Sequence, residues 1–179
     1  MKKSTTKELV LAGLFLAIGL LLPFLTGQIP EIGSMLLPMH IPVLICGLVI
    51  GWKYGLAVGF VLPLLRNLLF GMPPLFPVGI AMAFELAAYG VVIGLLYSRF
   101  KKQGVKALYI SLIGAMLAGR VVWGIVQAIL LGMTGSSLTI GVFMASAFLN
   151  AIPGIILQLV LIPVLMVALD RVGAVKFKK

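Results

Sequence analysis

The chain has 179 residues, of which 62% are hydrophobic and 10% charged, and its mean hydropathy is +1.24. That composition excludes an ordinary soluble domain. A spanning helix needs about 20 apolar residues, so six of them nearly exhaust the length and leave one compact membrane domain with short loops.

The first predicted helix runs from about Lys7 to Leu25. Its apolar run is longer than the core of a secretory signal, and no A-x-A site follows it, so a retained first span fits better than a cleaved leader. The loop TGQIPEIGSMLLPMH follows, then a short second helix over Ile41–Ile50. The turn GWKYG leads to a third helix over Gly55–Phe70, which ends at GMPPLFP. A fourth covers Val78–Tyr97 and is followed by SRFKKQGVK. The fifth covers Ala107–Leu131 and ends at GMTGSSLT; the sixth covers Ile140–Leu169, before the tail DRVGAVKFKK. Pro/Gly clusters and the basic run set these borders. The single cysteine, Cys46, lies in an apolar run, forms no internal disulfide and reads as a small core residue.

The net charge of +10 invites a nucleic-acid role, but its distribution gives it another meaning. Lys2, Lys3 and Lys7 precede the first span, and Lys53 lies in the second loop. Arg99, Lys101, Lys102 and Lys106 fill the fourth loop; Arg171, Lys176, Lys178 and Lys179 form the tail. The first, third and fifth loops contain no Lys or Arg. In a six-span chain this places all twelve cations on one face, so both termini are expected in the cytoplasm. No basic face interleaved with stacking aromatics is present, and nucleic acid is not expected as a partner.

Arg66, Arg120 and Glu85 remain inside the spans. Each costs roughly 2.5–3.5 kcal/mol at a lipid-facing midplane, so they are expected to face inward with Asn67, Gln127, Asn150 and Gln158. At about 1.5 Å per residue, most of these groups fall in the outer half, below the external loops. Arg120, Trp123 and Gln127 share one helical stripe; Glu85 and Tyr89 share another, and Asn150, Gly154 and Gln158 a third. A pocket between the fourth, fifth and sixth spans, capped by the first loop, is the simplest geometry. Arg66 and Glu85, at similar depth on neighbouring antiparallel helices, are expected to pair, which leaves Arg120 for a monoanion such as a carboxylate. A purely structural network of the three charges fits the same residues. The only histidine, His40, sits between Pro38 and Pro42, either as a lid contact over a polar ligand or as a cap on the second helix.

Small residues four apart occur at Gly13 and Ala17, at Gly47 and Gly51, and at Gly55 and Gly59. Such spacing serves close helix contact, inside the bundle or with a partner. No phosphate-binding G-x-x-x-x-G-K-[ST], no H-E-x-x-H and no paired His/Cys metal spacing is present. One His and one Cys far apart cannot build a usual nucleophile and base. The chain can bind something, but nothing in it drives uptake alone.

The series LPMHIPVLICG, GWKYG, PLLRNLLFGMPPLFP and AMAFELAAYG, with the six-span layout and the long first external loop, resembles the substrate-binding S components of energy-coupling factor (ECF) vitamin transporters. It is most similar to the pantothenate type. The series covers mainly residues 36–90, and the rest matches in layout only.

The resemblance implies a multi-pass protein of a prokaryotic cell membrane, and no enzyme. It implies that residues 1–77, including a lid loop at 26–40, face a membrane T component, and that residues 78–179 bind the vitamin. Two partner ATPases use the ATP; the chain itself carries no cofactor or metal. The family's Ala-x-x-x-Ala docking pair on the first helix falls here at Gly13 and Ala17, with Gly in place of the first Ala.

The expected carboxylate anchor is Arg120, with Asn150 and Gln127 on the amide and hydroxyls of pantothenate. Trp123 and Tyr89 are expected to wall the pocket. Arg66 and Glu85, with Asn67, are expected to support it, and His40 to touch from the lid. Gly13, Ala17, Gly55 and Gly59 are the expected docking positions. Another anionic vitamin or precursor suits the same charge; a small intramembrane enzyme and a ligand-free assembly subunit are the alternatives of other classes.

Overall fold

A lipid solvent offers the backbone no hydrogen-bond partners, so a chain this apolar must satisfy its N–H and C=O groups within helices or a closed barrel. The computed structural model describes residues 5–26, 29–135, 137 and 139–175, and the regular elements among them are all helical. Helix α1 (Thr5–Leu21) tightens into a 3-10 turn over Leu22–Thr26, where Pro23 removes a backbone donor. The loop after α1 carries a short helix, α2 (Pro30–Leu36), which ends on Leu37 in the left-handed region at φ 52°. Helix α3 (His40–Val49) and α4 (Trp52–Phe70) are separated by Gly51 at φ 109°, a conformation that favours glycine. A kinked turn over Leu75–Gly79 precedes α5 (Ile80–Arg99), and α6 (Val105–Met133) follows a short basic loop.

Five helical stretches are long and apolar enough to cross a membrane: those of α1, α4, α5, α6 and α8 (Ile152–Arg171). The expected second span is the exception. Helix α3 has 10 residues and is buried from His40 to Leu48. The expected sixth helix is also divided. A five-residue helix, α7 (Ile140–Met144), passes into a π turn over Ala145–Leu149, and α8 starts afresh at Ile152. Pro153 explains the restart, because it cannot donate to the carbonyl four residues earlier. Of the cations that give the positive-inside pattern, Lys2, Lys3, Lys176, Lys178 and Lys179 lie outside the described residues.

Helix α5 is the axis of the bundle. One apolar cluster joins it to α3, α6 and α8 through Leu44, Ile93, Leu108, Leu112 and Ile162; a second joins it to α1, α3 and α4 through Val43, Val58, Leu62 and Leu86. Half of the residues of α5 are buried, whereas α1, at the periphery, is mostly exposed or half-buried. Helix α6 shows both of its faces plainly. Ile113, Leu117, Val121, Ile125 and Ile129 form an exposed stripe four residues apart, whereas Leu112, Gly119, Arg120 and Gln127 are buried. The ionic group faces inward and the lipid side is uniformly apolar.

Glycine permits the tightest crossing, that of α4 on α5. A Cβ at Gly90 would overlap the Gly55 carbonyl group, and one at Gly59 would overlap the Leu86 carbonyl. Gly55 and Gly59 are both buried here. Their small size serves packing inside the bundle, which corrects their expected place on a docking surface. A Cβ at Gly13 would meet no atom within 4 Å, and this residue lies with Ala17 on the exposed face of α1.

Gly90→Val should therefore cost above about 3 kcal/mol, read as loss of folded protein or a clear fall in the thermal midpoint in detergent. Gly13→Val should leave that midpoint unchanged.

Candidate functional site

Glu85 is the centre of the buried polar chemistry. It projects from α5, is 1% exposed, and one of its oxygens, Oε1, collects three neighbours. Arg120 Nη1 lies 2.9 Å away, in a buried ion pair between α5 and α6. The Tyr89 hydroxyl, one turn along α5, donates to the same oxygen at 3.2 Å. His40 Nε2, at the start of α3, stands 3.5 Å off, outside hydrogen-bond geometry. The His40 ring meets the Tyr89 ring edge-on, with centroids 5.1 Å apart. Four of the expected site residues thus come together.

Glu85 takes only one nitrogen of Arg120. Nε and Nη2 are buried and have no hydrogen-bond partner. These two share one edge of the planar guanidinium and donate in parallel, a fork that matches a carboxylate. Leaving such donors buried and unpaired costs about 1–3 kcal/mol each. His40 Nδ1, Gln127 Oε1 and Gln158 Nε2 are likewise buried without partners.

The expected pairing of Glu85 with Arg66 is corrected by this geometry. Arg66 donates through Nη1 to the Leu20 carbonyl at 2.7 Å and lies over the rings of Phe24 and Phe70, 5.4 Å from each centroid. It makes no ion pair among the described residues. The reason lies in helix ends that the sequence blurs. Glu85 stands fourteen residues before the end of α5, and Arg120 fifteen after the start of α6. In an antiparallel pair joined by a short loop, equal counts from the turn give equal depth. Counting from the α5–α6 loop matches the two; depths counted from the opposite helix ends do not.

The remaining expected residues are spread out. Asn67 donates to the Pro73 carbonyl at 2.8 Å and braces the loop after α4. Trp123 is half-buried and stacked on Phe143 of α7, 6.1 Å between centroids. Asn150 is exposed in the turn before α8. Gln158, fully buried, is the better-placed amide of that helix.

A cavity of about 450 Å³ lies beside the cluster. Its lining includes Glu31 and Leu37 from the loop between α1 and α3, His40, and Arg66, Met72 and Met82. Glu85, Tyr89 and Arg120 are not part of that lining. The cavity therefore sits where the loop meets the ends of α1 and α4 and the start of α5, not between α5, α6 and α8 as expected. The α5–α6 interface is filled instead: a Cβ at Gly119 would come within 2.9 Å of the Tyr89 ring. Helix α2 closes over α8 at Gly154, where a Cβ would come within 2.5 Å of the Met35 carbonyl oxygen.

Five long apolar helices around a buried ionic cluster define a multi-pass membrane protein. The family model described as "ECF transporter, substrate-specific component" matches residues 7–166, and the chain belongs to that family. It is the substrate-specific subunit of a transporter and not an enzyme. Membership implies a small-molecule substrate and partnership with a T component and ATPases. Searches of curated proteins and of solved structures each returned no match.

The ion pair predicts a non-additive pair of substitutions. Glu85→Gln and Arg120→Met should each destabilise the protein by about 3–5 kcal/mol, because each strands the other charge. The double variant should lose much less than the sum, measured by unfolding in detergent. Additive losses would show that the pair does not hold the helices together.

Proposed function

We propose that this chain captures a small carboxylic-acid vitamin, with pantothenate the first candidate, and presents it to a T component driven by two ATP-hydrolysing subunits. One observation carries the reading: Arg120 is held by Glu85 through Nη1 alone, and its Nε/Nη2 edge is buried without a partner. That edge suits a carboxylate. Gln127 and Gln158 each bring one buried, unpaired polar atom, an acceptor and a donor, for amide and hydroxyl groups. Pantothenate has one carboxylate, one amide and two hydroxyls. Tyr89 and His40 wall the anchor, and Gln158 takes the amide role first expected of the exposed Asn150.

In this reading α3 is the second of six crossings. Both termini then lie on the cytoplasmic side of a prokaryotic cell membrane, with the basic loop between Arg99 and Lys106. The exposed face of α1, with Gly13 and Ala17 among Leu9, Val10 and Leu14, is the surface offered to the T component. Close approach of another helix there needs the small residues.

Calorimetry on the purified protein should show one pantothenate bound per chain. Arg120→Ala should weaken binding about 30-fold or more, and Arg120→Lys should not restore it, since an ammonium lacks the planar fork. Unchanged affinity in folded Arg120→Ala removes Arg120 from the role. Gly13→Leu should keep binding and lose co-purification with the T component; retained co-purification would place the docking face elsewhere.

A further inference from the structure

Two separate arginines face this half of the bundle, and the proposed capture role uses only one. Arg66 is 4% exposed and held from two sides. The Leu20 carbonyl accepts from Nη1, and Phe24 and Phe70, themselves packed edge-on at 5.0 Å, lie against the guanidinium. These contacts fix its orientation and use one of its five N–H groups. The side chain also lines the 450 Å³ cavity, whose other walls are mostly apolar except for His40 and Glu31; Glu31 is exposed on the loop, whereas Arg66 is buried. A fixed cation in a largely apolar chamber attracts an anion strongly, because low-dielectric walls focus its field.

The chamber and the Glu85 cluster meet at one residue. His40 lines the chamber and also stands 3.5 Å from Glu85 Oε1 and edge-on to Tyr89. No other residue lining the chamber belongs to that cluster. Both nitrogens of the His40 ring are buried without hydrogen bonds, so the ring can exchange polar contacts on either side without breaking one.

We infer that the chamber is a first station for the substrate: Arg66 receives its carboxylate beneath the first external loop, and the ligand then passes His40 to the Arg120 fork. This deepens the capture reading and rests on it. Arg66 sets the rate of capture, and Arg120 sets the residence time. The ligand class is a small carboxylic acid with an apolar body, narrow enough for the chamber, and with hydrogen-bonding groups at its far end. The field of Arg66 acts on the approaching anion, so added salt slows capture.

The test measures association and dissociation of radiolabelled pantothenate by rapid filtration, on wild type, Arg66→Met, Met82→Trp and Arg120→Ala. Met82→Trp fills the chamber and leaves Arg66 in place, so the inference stays testable if Arg66→Met does not fold. Arg66→Met and Met82→Trp should each slow association roughly tenfold or more, with dissociation changed less than twofold. Salt should slow association in wild type and have little effect in Arg66→Met. Arg120→Ala should instead speed dissociation. Wild-type association rates in the folded chamber variants overturn the two-station path and leave capture at Arg120 standing. Faster dissociation from Arg66→Met makes Arg66 the resident anchor and overturns it too. A wild-type protein that binds no pantothenate removes the capture reading for that vitamin, and this inference with it.

Discussion

A carboxylate enclosed in an apolar bundle must find positive charge and hydrogen-bond donors, or it is not tolerated there. Glu85 finds them from two directions: Arg120 across the α5–α6 interface and Tyr89 from its own helix, with the His40 ring close by. Because all of these bear on one oxygen, a slide of α6 along α5 by a single turn, about 5.4 Å, would break the ion pair. The contact therefore fixes the relative register of the middles of α5 and α6. It also leaves Arg120 half-used. The same interaction that makes the arginine tolerable determines which edge of it stays unpaired.

Around this point the bundle divides into parts that are unequally packed. The α4–α5 crossing, where Gly55, Gly59 and Gly90 bring backbone against backbone, has no slack for rotation. Helix α1 is far less enclosed, and its attachment includes the Arg66 contact with the Leu20 carbonyl. Helix α2 rests on α8 over Gly154. The outer elements that surround the chamber are thus seated by a few identifiable contacts, while the axis beneath them is closely packed.

Most of the helical layout was legible in the sequence because lipid leaves few choices. Apolar runs must be helices, and Pro/Gly clusters must be loops, so the borders of α3, α4 and α5 fall within a few residues of expectation. That Arg120, Glu85 and Gln127 face inward was legible for the same reason: no chain carries them toward lipid cheaply. Partner choice was not legible. Whether Glu85 meets Arg66 or Arg120 depends on helix depth, and the outer ends of the helices are where depth is least certain. The small-residue pairs misled in another way. Gly13 and Gly55 have the same spacing pattern, but only the fold decides that one faces outward and the other lies under α5. The break before α8 was signalled by Pro153, which a continuous apolar run concealed.

The brevity of α3 bears on where a solute would sit. Ten residues of helix rise about 15 Å, half of a hydrocarbon layer of about 30 Å. The neighbouring helices run the full distance, so one column of the bundle stops midway. The buried stretch Leu37–Pro38–Met39 and the chamber beside it occupy the height that a longer helix would have filled. A guest in that missing half-column would lie level with the acyl chains while shielded from them by protein.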